Sequence, residues 1–200
     1  MGEQVRPEAF FDSLSVAYRL NNYLDGFKLQ EISLFSYFSS ILFGYRGNNV
    51  SDWGYKFIAD PSASGYPYSE ELNEACTRHI QNGLFDDREE YLILSSRGTS
   101  EYLTFKSLDS LRWRDEYIDA ACTTNILVPY SQTLRALVNA PELSKSAESD
   151  DWLDQSGIYE KIVEISRAVG VASDDLIIPA VSWIKYLIAE EKTDDNSQSN

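Results

Sequence analysis

Phe10, Phe11, Leu14, Ala17 and Tyr18 recur at the spacing of one helical face, which predicts a first helix from about Pro7 to Leu24. Pro7 suits a first-turn position and Gly26 suits the stop. A second series, Leu29, Ile32, Phe35, Ser36, Ser39 and Phe43, predicts a helix from Leu29 to Phe43 that ends before Gly44. Tyr37, Phe38 and Leu42 fill its other side, so this helix is apolar nearly all round and is expected at the centre of the fold.

Gly44, Gly47, Asn48, Asn49, Pro61, Gly65 and Pro67 then mark a turn-rich link, in which only Trp53–Ile58 suits a short helix or strand. Ser69 is a good N-cap, followed by Glu70 and Glu71 where acids complement the helix dipole. Leu72, Ala75, Cys76, His79 and Ile80 share the inner face of this helix, and Gly83 ends it. Gly83–Phe85 and Tyr91–Leu94 read as two strands around the polar tip DDREE.

Ser100 is placed to cap a helix through Leu111, and a further helix is expected over Arg112–Asn125, with a break at Pro129. A short helix follows from Ser131 to Val138. Residues 141–157 are acidic and rich in small residues, which suits a linker. Ile158–Val169 and Ser173–Glu191 read as a C-terminal helical pair, and 193–200 as a disordered tail.

The expected fold is mainly α: a winged helix-turn-helix core with one β-hairpin, plus N- and C-terminal helical extensions. Residues 1–140 would form the winged-helix domain with its N-terminal helix, and 158–192 the C-terminal pair beyond the 141–157 linker.

Charge complicates that expectation. The 200 residues hold 17 basic and 32 acidic side chains, for a formal net charge of −15. Such a surface repels nucleic acid and anionic membranes and favours basic protein partners. The helix and hairpin tip carry seven acids (Glu70, Glu71, Glu74, Asp86, Asp87, Glu89, Glu90) against Arg78 and Arg88. In a winged helix this helix normally enters the major groove, where lysine and arginine displace condensed counterions. The shape is retained here without the charge that DNA needs, which favours protein binding.

The basic residues concentrate instead around Arg97, Lys106, Arg112 and Arg114, where Arg112-Trp113-Arg114 offers a stacking ring between candidate phosphate contacts. Candidate partner-binding residues are Phe10 and Phe11 near the terminus, Glu70, Glu71 and Glu74 on the acidic helix, and Trp183, Tyr186 and Leu187 on a last helix apolar over a wide arc. With 13 Tyr and 4 Trp, the chain is rich in the aromatics favoured at interface hot spots.

Catalytic signals are poor. His79 is the only histidine and lies on an apolar helix face, as a hydrogen-bonded core residue would. No Ser/His/Asp or Cys/His set assembles without it, and one histidine with two distant cysteines gives no zinc pattern. Cys76 and Cys122 both read as reduced core thiols. No phosphate-binding G-x-x-x-x-G-K-[ST] loop occurs. The expectation is a non-enzyme without cofactor or metal. The N-terminus lacks an apolar run of signal-peptide length, and the windows Ile32–Phe43 and Leu176–Ile188 are short for a membrane span, so a cytoplasmic location is expected.

Over residues 28–98 the chain resembles a group of small bacterial winged-helix proteins. The matching positions are Lys28-Leu29-Gln30, then Gly65, Tyr68, Ser69 and Leu72, then Gly83-Leu84-Phe85, and finally Tyr91, Ile93, Ser95 and Gly98, with Ile93 and Ser95 departing slightly. Within that group it is most similar to the middle-component subunits of ABC-three-component and Lamassu-type antiphage defence systems. It is more distantly similar to the acidic winged-helix subunits of SMC and condensin complexes. The resemblance implies a non-catalytic subunit that joins an SMC-like ABC ATPase to an effector, often a nuclease, and holds the effector inactive until foreign DNA is sensed. Two other functions fit parts of the sequence: a winged-helix transcriptional regulator using Arg112 and Arg114, and an acidic antitoxin or inhibitor of a basic protein.

Overall fold

The structure is a computed structural model and describes residues 5–59, 66–140, 143, 155–170 and 175–197, the side chains of 156 and 192–197 excepted. Among these residues it is mainly helical, with two small antiparallel strand pairs. Helix α1 (Pro7–Leu20) leads through Phe27 into α2 (Leu29–Tyr45). A 3₁₀ turn (Val50–Trp53) and the ribbon β1 (Ile58–Ala59) with β2 (Pro67–Tyr68) fill the link to α3 (Glu70–Gln81). The hairpin β3 (Phe85–Asp87) and β4 (Leu92–Leu94) follows, then α4 (Ser96–Lys106), α5 (Asp109–Leu127) and α6 (Tyr130–Val138). The last helices are α7 (Ser156–Ala168) and α8 (Ile177–Ser197).

Local chemistry sets the helix ends. The Ser69 hydroxyl accepts the Leu72 N–H at 3.4 Å and so caps α3. At the other end Gly83 takes φ +68, with its N–H on the Ile80 carbonyl and that of Leu84 on the His79 carbonyl. Helix α4 starts at the Ser95 cap, whose hydroxyl accepts from Gly98, rather than at Ser100. The α4–α5 break falls at Ser107–Leu108, before the expected Leu111.

The hairpin pairs Phe85 with Leu94 and Asp87 with Leu92. Phe27 adds a third member: its N–H and carbonyl exchange bonds of 2.9 and 2.8 Å with Leu92. The sheet order is therefore β3, β4, Phe27, which fastens the α1–α2 junction to the hairpin.

Helix α1, expected as an extension, lies at the centre. Every residue from Ala9 to Ala17 except Phe10 is buried, against α2, α3, α4 and α5. Its Phe11 and Leu14 are each worth about 1.5–3 kcal/mol on burial. Four buried polar residues (Asp12, Ser13, Ser15, Arg19) share its surface, and each finds a partner across an interface. Helix α2 is central, as its composition predicts.

The C-terminal pair joins the same core. Ile158, Ile162, Leu176, Ala180, Trp183, Ile184 and Leu187 belong to one apolar cluster with α1 and α2, and α7 and α8 pack on α2, α5 and α6. Gln155 donates to Ser40 at 3.1 Å and Tyr159 lies on Gly44, which sets α7 along α2. Apart from Leu143 and residues 155–157, the expected 141–157 linker lies outside what is described, as do Gly65 and Ser173. Helix α8 continues to Ser197, beyond the expected end at Glu191.

Candidate functional site

Helix α3 and the hairpin present the acidic surface that the sequence marks out. Glu70 is exposed, while Glu71 and Glu74 are half-buried. Glu71 has a local role, because its carboxylate accepts the Ser69 hydroxyl at 3.0 Å within the α3 cap. Asp86, Asp87, Glu89 and Glu90 project around the tip, where Glu89 takes φ +69 and gives its N–H to the Asp87 carboxylate.

The outward face of α3 is also bordered by the chain entering α1. Val5 lines a shallow cleft of about 400 Å³ with Asn73, Glu74, Thr77, Arg78 and Gln81, along the stripe that would face bases in a DNA-reading helix.

The expected basic patch does not form. Arg114 has no exposed surface; its Nε and Nη2 grip Asp12 at 2.8 and 2.6 Å, and the Trp53 ring covers it with a centroid 4.0 Å away. Burial raises the Asp12 carboxyl above its ordinary range even beside this guanidinium. Tyr55 completes the group by donating to Asp12 at 2.6 Å. No phosphate can reach Arg114, so it is a core residue and not a nucleic-acid contact.

Arg112 is exposed, lies 3.6 Å from Asp109 as a surface ion pair, and donates to the Ser107 carbonyl at 3.4 Å. Around it lies a hollow of about 560 Å³, where Arg19, Lys106 and Arg112 face Asp109, Asp115, Glu116 and Asp119. Four carboxylates against three cations do not attract a polyanion. Within this network Asp115 takes Arg19 at 3.0 Å and Lys106 at 2.9 Å. Burial alone would raise the Asp115 carboxyl, yet the bonds from Arg19, Ser15 and Lys106 hold it below the ordinary carboxylate range.

Several partner candidates are also committed to the interior. Phe11, Trp183 and Leu187 are 0%, 3% and 5% exposed, so they cement the chain's own helices. Phe10 is half-buried, edge-on to His79 and Phe105. Tyr186 is half-buried, stacked on Trp183 beneath Lys161 and bonded to Glu190. Of the partner candidates Glu70 is exposed, with Glu71 and Glu74 half-buried beside it on the outer side of α3.

His79 sits between the Phe10 and Phe85 rings, its Nε2 2.8 Å from the Ser13 hydroxyl and 3.2 Å from the Phe10 carbonyl. Burial lowers its pKa to about 4, and burial pushes the nearby Cys76 thiol up to about 12. The Ser13–His79 pair resembles a nucleophile and base only in composition. Both groups are fully covered, and the neutral imidazole has no substrate path. Cys122 is likewise a buried free thiol raised to about 12 by burial.

Among the described residues, no group of three or more His, Cys, Asp or Glu side chains is arranged to hold a metal ion. Among the same residues, no helix is long and apolar enough to cross a membrane. No family model, curated protein or solved structure matches the chain.

Proposed function

We propose that the chain is a protein-binding winged-helix module, acting as a non-catalytic scaffold or regulatory subunit. The order α1, Phe27, α2, α3, β3, β4 supports the winged-helix part, with Phe27 as the short strand that ties the wing to the first helices. The 3₁₀ turn and the β1–β2 ribbon then form an insertion between the second and third helices of the motif.

One observation carries the protein-binding part. The outward face of α3 and the wing carries seven acids against Arg78 and Arg88, and Arg114, the candidate phosphate contact of the expected basic patch, is sealed against Asp12. Each carboxylate brought to a phosphate adds repulsion within a Debye length of about 8 Å. A partner with a basic surface gains where DNA loses.

With the sequence resemblance, this reading makes the chain the subunit that bridges an SMC-like ABC ATPase and a nuclease-type effector in a bacterial antiphage defence complex. The acidic face would then dock on a basic surface of one of them. Two measurements test it together: anisotropy of labelled duplex DNA across a salt series, and co-expression with the products of adjacent genes. The reading expects no specific DNA binding and a stable complex with a basic protein. A chain that stays alone and binds DNA, weakening steeply with salt, overturns it.

A further inference from the structure

Between the start of α2, Ile80 of α3 and the hairpin lies a groove of about 350 Å³. Its floor is apolar, built from the bridged pair Phe27 and Leu92 with Leu29 and Ile80. Tyr91, 41% exposed, forms one wall, and its ring lies so close on Gly26 that a Cβ there would collide with it. That wall therefore rests on the Gly26 backbone. Asp87, Glu89 and Glu90 stand along the rim, and Lys28 is the cation among the lining residues. Arg88 does not line it.

We propose that this groove receives a short basic segment of a partner protein. An apolar side chain seats on Phe27, Ile80 and Leu92, with a lysine or arginine beside it facing Asp87, Glu89 and Glu90. This rests on the protein-binding reading above and names the chemistry of the partner. The floor alone would accept any exposed hydrophobe. The rim selects among them, because an acidic segment or a phosphodiester chain meets three carboxylates at close range. A cationic polymer without an apolar anchor gains only screened attraction. A segment with both features gains the buried anchor that usually dominates such interfaces.

The test titrates the full chain, labelled for backbone amide NMR, with a short synthetic peptide of lysine and leucine, and separately with the same peptide carrying serine for leucine. The proposal expects saturable binding with shifts concentrated at Phe27–Gln30, Ile80 and Asp87–Leu92. The serine peptide binds about tenfold more weakly. The exposed double variant Glu89→Lys/Glu90→Lys, checked for unchanged circular dichroism, also loses about tenfold. Shifts spread over Glu70, Glu71 and the remaining acidic surface, unchanged in the double variant, remove the groove but leave the protein-binding reading standing. Failure to bind either peptide, together with salt-sensitive binding of duplex DNA, overturns both.

Discussion

Asp12 and Arg114, 102 positions apart in sequence, form a bidentate ion pair at 2.6–2.8 Å with neither side chain exposed. The pair clamps α1 to α5, and the rings of Trp53 and Tyr55 enclose it from the insertion. Removing one partner strands the other charge in a dry interior. Arg114→Met is therefore expected to cost about 3–5 kcal/mol in urea unfolding. The double variant Asp12→Leu/Arg114→Met should recover most of that loss. Recovery stays incomplete because the Tyr55 hydroxyl loses its acceptor, worth about 1–3 kcal/mol. A cost below about 0.5 kcal/mol for Arg114→Met would place the residue at the surface, where the sequence had put it.

His79 makes stability depend on pH. Its folded pKa is about 4 against an ordinary value of 6.5, so between those pH values the unfolded chain binds a proton that the folded chain does not. Stability from this group is complete above pH 6.5, falls as pH drops toward 4, and changes no further below that. The loss across the window is about 3 kcal/mol. Urea unfolding at neutral pH and near pH 4.5 measures it, and His79→Phe is expected to flatten the difference.

Trp183→Ala separates a core role from a partner-contact role. At 3% exposure, truncation leaves a cavity in the apolar core and is expected to cost about 3–5 kcal/mol. A residue held for a partner would change thermal stability of the free chain by less than about 0.5 kcal/mol.

Gly98→Ala is expected to cost about 1–3 kcal/mol. A Cβ there would strike the Leu84 carbonyl oxygen, which already accepts the Ser95 N–H at 3.0 Å and has no room to retreat. Gly98→Ala should therefore lower the thermal midpoint, and an unchanged midpoint would mean that the first turn of α4 does not lie against the Leu84 carbonyl.

The parts legible in sequence are those set by local chemistry. Ser69 and Gly83 fix both ends of α3, and the DDREE tip fixes the hairpin, because caps and turns act within a few residues. The all-round apolar pattern of Leu29–Phe43 likewise places α2 inside. What escaped needed distant partners or very short pairings. The Phe27 bridge is a single residue, and β1 and β2 have two residues each, too few for an alternating pattern. Arg112-Trp113-Arg114 reads as one basic cluster, yet Arg114 points inward to meet Asp12 on a helix that sequence alone treats as peripheral. Within the candidate site, the acids were visible because exposed charge needs no partner to be recognised. The groove was not, because its floor unites Phe27, Leu29, Ile80 and Leu92 from separate stretches.

The most direct test of the central claim is co-purification of the chain with the products of its neighbouring genes, using wild type and the variant Glu70→Lys/Glu74→Lys/Glu89→Lys/Glu90→Lys, which reverses charge on both α3 and the hairpin tip. The account predicts that wild type holds a basic partner protein and that the charge-reversed variant, folded by circular dichroism, releases it. Undiminished capture by that variant, or a wild type that elutes with duplex DNA in place of a protein, would contradict it.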